Sequence, residues 1–585
     1  MMKNYKLNGY VIYDFIISGA EKIIQNEKQL NEINVFPVAD GDTGSNLAYT
    51  MNHIIRNAKK SEDVSVTLDS ISSAAVDASF GNSGTIFAKY LYGLSLENKD
   101  KKNISVKEFI NGLHKAVTYA YDSISMPKEG TILTVMKEWT GYLNKNEHKH
   151  NEFENLLESS IDYSYNVLDN TKNLLDVLKE ADVVDAGAKG FVCFVEGILD
   201  HVRFGKGKTK VISRIEHVNF DKIDHLSGKM DYNYCSEFTI ENSNIKKREL
   251  VKILNNYGDS VIVNIYKDKA KVHLHTNNPQ KVMLQLIKAG KVVESKVDDM
   301  SIQYDIVHKK RNKIALITDS IADIPKEIIK ENLITVIPIQ LLSEGTVYLD
   351  RITVDGETVY EILDNAENYP TSSQPSETNI ERTFEFLFNY YEEIVGVFVS
   401  DKMSGTFSKI TKIVNQLEKK EKILLVNSKL NSGGEGLIVK KAADYIREGL
   451  NLQTIREKLE KDIRKTKIYV KIPDLNYAVR SGRVPKVVGS FASLVGLQPI
   501  ISIDEEGNGS VTGKRNLAKI VQKLIEKKGI VEYSVVHTKN LKKAEKLSED
   551  LEKITGKPPL YIENVSAVVS AFIGKGAYGI AFREE

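Results

Sequence analysis

Cysteine is almost absent from this 585-residue chain: Cys193 and Cys235 are the two it has. Two cysteines cannot staple a chain this long, so the disulfide-rich secreted class is excluded and a reducing compartment fits. An excess of charge of either sign is lacking too, since 80 Lys and Arg face 79 Asp and Glu for a net charge of +1. Without a bulk positive field, nucleic acid is not an expected partner. No apolar run reaches the ~20 residues that span a bilayer. The longest, 487–503, is broken by Gly, Ser, Gln and Pro and reads as helix, turn and buried strand. Membrane contact is therefore expected to be peripheral or absent. The first twenty residues, interrupted by Asn8, Gly9 and Asp14, lack the basic-then-apolar plan of a signal peptide, and a cytoplasmic location is expected. What is present is ordinary globular composition, with 42% hydrophobic and 27% charged residues. At usual domain sizes the length suggests about three or four domains.

The pattern changes along the chain. Residues 8–200 carry helical apolar stripes, such as Ile12, Phe15, Ile16 and Ala20, or Ile110, Leu113, Val117 and Ala120. Strand-like alternation is scarce there, and an all-α bundle is predicted. Residues 201–230, opening with RFGKGKTK, read as a linker. Residues 231–308 hold short alternating runs, CSEFTI, SVIVNIY and KVHLHT, with helices predicted at 246–257 and 279–289, which makes a small α+β domain. HKKRNK at 308–313 is a solvated junction. In 313–585 the buried strands KIALIT, IVGVFVS, KILLVN and IVEYSVVHT alternate with helices, which predicts parallel sheets with crossover helices. DEEGNG at 504–509 reads as a hairpin turn.

The first chemical signal is NVFPVADGDTGSN at 34–46. Asp40 and Asp42 flank one glycine in a loop forced by Pro37 and Gly44. Two carboxylates on one tight turn repel unless a cation lies between them, and hard oxygen ligands at this spacing suit Mg²⁺ held with phosphate oxygens. Thr43, Gly44, Ser45 and Asn46 add hydroxyl, amide and backbone donors at a predicted helix start, where an anion is favoured. Taken alone, DGD is more often an Asx turn capping a helix. Three further glycine-rich helix approaches accompany it: GNSG at 81–84, EGTILTV at 129–135 and DAGAKG at 185–190. Each lets backbone come close to a ligand.

In this order, the four segments resemble the DhaL-type nucleotide-binding domain, and more closely the N-terminal domain of bacterial fatty acid kinases, over about 8–200. The resemblance implies a helical barrel that binds ATP at one end. It implies Asp40 and Asp42 as the catalytic Mg²⁺ ligands, with Asn34 a weaker candidate. It places Thr43, Asn46, Ser83, Gly84, Thr131, Asp185 and Gly187 along the nucleotide.

The second signal is Cys235 in YNYCSEF with His273 and His275 in KVHLHT. A strand puts residues i and i+2 on one face, so the two imidazoles can share an ion and the thiolate can approach from a neighbouring strand. That donor set suits Zn²⁺ with a fourth position open. By spacing alone, two surface histidines and a buried cysteine is the commoner outcome. The segments resemble the middle domain of fatty acid kinases, and the resemblance implies zinc on Cys235, His273 and His275. Glu237 stands beside Cys235 as a supporting or catalytic carboxylate.

The third region offers hydroxyls and guanidinium groups: TDS at 318–320, SSQPS at 372–376, SGT at 404–406 and RSGR at 480–483. TDS and SGT follow strands, at the carboxyl ends where open α/β sheets bind ligands. Hydroxyls with an arginine fit a carboxylate or phosphate head group, although Ser and Thr before helices are commonly caps. With the C-terminal GKGAYGIAF, these segments resemble the DegV family of fatty-acid-binding proteins over 313–585. The resemblance implies an α/β two-lobed domain enclosing an acyl chain, with Ser372, Ser404 and Arg483 around its carboxylate. It departs at Phe572, where members that partner kinases commonly carry His. A phenyl ring donates no hydrogen bond. Altered head-group binding, a different lipid, or compensation by a donor such as Lys575 would each follow.

The expectation is a multidomain chain: an all-α DhaL-like helical barrel (8–200), a linker (201–230), a small α+β middle domain (231–308) and a DegV-like domain (313–585). The function expected from these resemblances is ATP-dependent phosphorylation of a fatty acid carboxylate carried by the same chain. A homodimer and a downstream acyltransferase are the expected partners. A non-catalytic lipid-binding protein with a nucleotide-sensing domain, and a small-polyol kinase like the dihydroxyacetone enzymes, are the alternatives.

Overall fold

The computed structural model describes residues 6–205, 231–243, 245–266, 269–473, 477, 499–513, 517, 521–522 and 529–585. The chain divides into two compact units, 1–278 with 297–309 and 279–296 with 310–585. The division falls within the strand Lys291–Asp299, so the helix Pro279–Ala289 groups with the second unit. Among the described residues no helix is long and apolar enough to cross a membrane.

The first unit opens with helices α1 (Gly9–Gln25), α2 (Glu27–Glu32), α3 (Thr43–Asn57), α4 (Val64–Asp77), α5 (Gly81–Glu97), α6 (Val106–Tyr121), α7 (Ile132–Asn146), α8 (Phe153–Leu174), α9 (Asp176–Ala181) and α10 (Ala186–Phe204). Local chemistry sets their starts. The Asn8 side chain accepts the Val11 N–H at 3.1 Å and caps α1. Ser105 and Glu108 form a reciprocal capping box on α6. A buried stripe then follows along α6, from Val106 through Phe109, Ile110, Leu113, Ala116 and Val117 to Ala120.

Helix α10 is different. Every residue from Ala186 to Asp200 is buried, so it is the axis around which the others pack. The Phe191 ring lies 5.5 Å from Trp139, 5.8 Å from Tyr90 and 5.9 Å from Phe87. Its polar residues are paired: Lys22 donates to Asp200 at 3.2 Å, and Tyr165 donates to Glu196 at 2.5 Å. The helix runs on to Phe204, into the start of the segment read as a linker; the rest of that segment, 206–230, lies outside the described residues. A short antiparallel pair, β1 (Lys6–Asn8) and β2 (Asn103–Ser105), joins residues 6–8 to the start of α6.

Three strands of a four-stranded sheet follow in this unit: β3 (Tyr234–Glu241), β4 (Gly258–Tyr266) and β5 (Lys269–Thr276). Strand β5 pairs antiparallel with both neighbours and sets Cys235 opposite His275 and Glu237 opposite His273. The sheet sits against the helices, with the Ser125 N–H donating to the Val261 carbonyl at 3.4 Å.

In the second unit a four-stranded parallel sheet has the order Ile423–Asn427, Glu393–Phe398, Ile314–Asp319, Thr335–Ile337. That is the parallel arrangement predicted from the alternation of strands and helices. The other large sheet departs from it. Its order is Gly509–Gly513, Ile500–Ile503, Thr466–Lys471, Tyr578–Glu584, Ile530–His537, Ile562–Asn564, and its neighbours are antiparallel except for the last pair. The C-terminal strand inserts between two earlier ones, and the turn at 504–508 folds Ile500–Ile503 onto Gly509–Gly513 as a hairpin. Crossover helices are not needed where the chain doubles back directly.

TDS at 318–320 lies at the end of its strand but is buried and internally satisfied. Asp319 accepts the N–H groups of Ile321 at 2.9 Å and Val399 at 3.0 Å, and Ser320 donates to Asp350 at 2.6 Å. Asp323 accepts from Arg351 and from Ser432. Burial pushes Asp319 up to about 7 and Asp350 to about 6, and it lifts Glu435, faced by Asp319 and Asp323, well above the carboxylate range.

Packing and burial each set a measurable expectation. Phe191→Ala leaves a cavity at the axis of the helical unit and is expected to cost about 3–5 kcal/mol in denaturant unfolding. The buried carboxyls hold their protons to higher pH than the unfolded chain, whose values lie near ~4. Their contribution to stability is therefore full below about pH 4 and is lost as pH rises towards about 7. Glu435→Gln removes one such titration, so its melting temperature should fall less than that of the wild type between about pH 5 and pH 7.5.

Candidate functional site

The carboxylate loop is built from the end of α2 to the start of α3. Asn34 donates through Nδ2 to Asp40 Oδ1 at 2.8 Å and to the Val38 carbonyl at 2.9 Å. Thr43, the first residue of α3, donates to Asn34 Oδ1. Gly41 takes a φ of +66°, which lets the chain turn between the aspartates. Asp40 is buried, and its carboxyl is raised well above the usual range, first by loss of water and then by the charge and hydrogen bond of Asp42. A buried acidic group pressed against a half-buried one is a cation site in chemical terms, because a divalent ion relieves the repulsion that otherwise keeps one protonated. The Lys128 ammonium lies over the Phe36 ring at 5.2 Å, bringing a positive charge to the same loop.

The starts of α3, α5, α7 and α10 form a chain of neighbours. Gly81, at a φ of +64°, opens α5 so close to Asn46 of α3 that a Cβ would sit 2.7 Å from the amide nitrogen. Gly187 of α10 approaches α5 equally closely, a Cβ there falling 2.6 Å from Ser83 Oγ. Asp185 caps α10 by accepting the Ala188 N–H at 2.7 Å, and it also accepts the Ile132 N–H at the start of α7. Burial raises Asp185 to about 7. Thr131, the N-cap residue of α7, donates to the Lys128 carbonyl at 2.8 Å. Of the residues singled out in the sequence, Asp40, Asp42, Thr43, Asn46, Ser83, Thr131, Asp185 and Gly187 thus lie on connected helix starts. Gly84 serves packing, its Cα facing Thr50 of α3. Gathered N-termini present unsatisfied N–H groups and favour bound anions.

On the face of the small sheet, ligand atoms of Cys235, His273 and His275 lie within 4.8 Å of one another, all three residues buried. Cys235 Sγ is 3.9 Å from His273 Nδ1. His273 Nε2 is buried with no hydrogen-bond partner among the described residues. Burial, and then the neighbouring His273, hold His275 neutral by lowering it to about 3. Two imidazoles and a thiol, with one ring nitrogen left unsatisfied, fit a soft divalent cation such as Zn²⁺. Glu237 Oε1 lies 3.2 Å from His273 Nδ1 and accepts the Gly81 N–H at 2.6 Å.

The second unit carries a partly open cleft of about 90 Å³. Its walls are mainly aliphatic, including Ile468, Val470, Ile501, Val536, Val565, Val569 and Ile573, with Asn431, Ser432, Ser502, Ser510, His537, Thr538 and Tyr578 as polar exceptions. Met403, the neighbour of Ser404, and Phe572 also line it. The loops carrying Ser372 and Ser404 touch, since a Cβ on Gly405 would overlap the Gln374 amide. Tyr369 donates to the Ala571 carbonyl beside Phe572. Ser404 Oγ is 2.8 Å from Thr406 Oγ1 and accepts the Thr406 N–H at 3.2 Å. Ser372 lies on the short strand Thr371–Ser373, opposite Leu341. Neither serine is among the cleft's lining residues, and Arg483 lies outside the described residues. Sequence reasoning missed His537 and Tyr578, which sit in ordinary strand patterns and carry no local signal.

Residues 37–200 match the DAK2 domain, 231–307 match the FakA-like middle domain of fatty acid kinases, and 313–585 match the DegV family of uncharacterised proteins. An uncharacterized protein of Staphylococcus epidermidis is 31% identical over 320 residues, 52% of this chain and 58% of that protein. One from Staphylococcus aureus strain USA300 is 31% identical over 322 residues, 53% of this chain and 59% of that protein. The matched segment therefore spans less than two thirds of the length of these relatives. Among solved structures, a fatty acid binding DegV family protein from Streptococcus agalactiae is 25% identical, covering 47% of this chain and all of its own, with a TM-score of 0.43. DegV, a fatty acid binding protein from Bacillus subtilis, is 25% identical with the same coverage and a TM-score of 0.42. The chain thus carries, in order, a DAK2 domain, a FakA-like fatty acid kinase middle domain and a DegV-family domain.

Proposed function

We propose that the protein phosphorylates the carboxylate of a fatty acid with ATP as donor, the acyl chain being held by its own DegV-family domain. The observation that carries this reading is the buried Asp40 paired with the half-buried Asp42 beside four connected helix starts, in a chain that also holds a largely aliphatic cleft. In this reading Asp40 and Asp42 hold Mg²⁺, which supplies charge neutralisation on the phosphate oxygens. Asn34 fixes Asp40. The starts of α3, α5, α7 and α10 bind phosphate oxygens through N–H groups, and Lys128 adds a positive charge.

A fatty carboxylate is ionised at neutral pH, so no general base is required. One of its oxygens attacks the γ-phosphorus as the bond to the bridging oxygen of ADP breaks, giving acyl phosphate and ADP. Positioning and charge neutralisation account for most of the rate. The mainly aliphatic lining of the cleft suits an acyl chain, and each buried CH₂ contributes about 0.8 kcal/mol to holding it.

A second reading is favoured by Phe572, which sets an apolar ring on the cleft wall. In it, the DegV-family domain carries lipid and the nucleotide site only senses ATP. Hydroxylamine trapping separates the two. The full chain, given Mg·ATP and a panel of fatty acids, is expected to form acyl hydroxamate. Asp40→Asn and Asp42→Asn should each lower its rate at least about 100-fold. No hydroxamate from a chain that still retains lipid and binds ADP would exclude the kinase and leave the sensor.

A further inference from the structure

Four contacts join the small sheet to residues 76–81, where α4 ends and α5 begins. Lys271 of β5 donates through Nζ to the Ser79 carbonyl at 2.6 Å and the Val76 carbonyl at 3.4 Å. The same ammonium stands over the Phe80 ring at 4.7 Å. Glu237 of β3 accepts the Gly81 N–H at 2.6 Å. The oxygen that takes this N–H also lies 3.2 Å from His273 Nδ1, within the Cys235–His273–His275 cluster.

We infer that the metal site and the nucleotide site share one carboxylate, Glu237, and that metal and nucleotide binding are linked through it in both directions. The inference rests on the reading of 81–84 as part of the nucleotide site. The physical basis is charge. Glu237 puts a negative carboxylate on the first amide of α5, at the end of a 17-residue helix that favours anions. Phosphates approaching that end meet like charge. A divalent cation held by Cys235, His273 and His275 lies beside the same carboxylate and offsets it. Metal loading therefore lowers the repulsion and firms the position of the Gly81 amide. Linkage requires the converse as well: bound nucleotide tightens the metal site by the same factor. Glu237 is in this account a positioning residue for the phosphate site and a charge partner of the metal site.

The test uses the full chain with a fluorescent ADP analogue and Mg²⁺, first stripped by a chelator and then loaded with Zn²⁺. Loading should tighten ADP binding about tenfold. Zn²⁺ affinity, read by competition with a chromophoric chelator, should rise by the same factor when Mg·ADP is present. Glu237→Gln keeps an oxygen for the Gly81 N–H but removes the charge. The zinc-free variant should bind ADP as tightly as the loaded wild type, and its coupling should fall below about twofold. The two wild-type measurements need no variant, so a misfolded Glu237→Gln leaves the inference testable. Wild-type chain that binds both ligands with less than about twofold mutual effect would overturn it. So would zinc-free Glu237→Gln binding ADP more weakly than zinc-free wild type, the behaviour of a simple cap. ADP binding to neither form would overturn the nucleotide reading itself, and the linkage with it.

Discussion

Repulsion between Asp40 and Asp42 is the constraint on which the helical unit's chemistry turns. Asp40 is buried and Asp42 half-buried beside it. Asn34 pins one, Thr43 pins Asn34, and the helix start pins Thr43 in turn. The loop thus gives up stability to keep two like groups adjacent with one of them dry, an arrangement that makes sense when a cation and phosphates are its ligands. Around it, the close approaches at Gly81 and Gly187 bring further helix starts to the same end of the unit. The axis helix α10 contributes both an end, capped by Asp185, and a fully buried body that holds the other helices in register.

The small sheet is built on the same principle of local geometry serving distant chemistry. Its period-two alternation puts Cys235, Glu237, His273 and His275 on one face, and Glu237 on that face reaches the start of α5. The metal-site residues are therefore part of the helical unit's architecture. In the second unit, acidic groups are buried for a different purpose. Asp319, Asp323 and Asp350 satisfy loop N–H groups, hydroxyls and Arg351, and they shape the ends of the parallel sheet. Their raised values mark structural burial, since each oxygen that binds a neighbour is already committed.

Much of this was legible in the sequence because the signals are local. The DGD loop, the glycine-rich helix starts and the HxH strand each announce themselves within a short stretch of chain, and the helical stripes of α1 and α6 are read directly from spacing. The pairing of Glu237 with Gly81 was not legible, because it joins residues 156 apart on different kinds of element. The antiparallel order of the six-stranded sheet was missed because strands alternating with helices look parallel until the last strand, Tyr578–Glu584, is seen to insert between two others. TDS read as a ligand loop from its place after a strand. Its burial, which decides the matter, is a tertiary fact.

In the proposed function the Asp40–Asp42 loop binds nucleotide through a divalent cation. Isothermal titration of ADP into the full chain, with Mg²⁺ present and then removed by chelation, tests it most directly. Binding that requires Mg²⁺ and disappears in Asp40→Asn is the predicted result. Binding unaffected by chelation or by that substitution would contradict the claim.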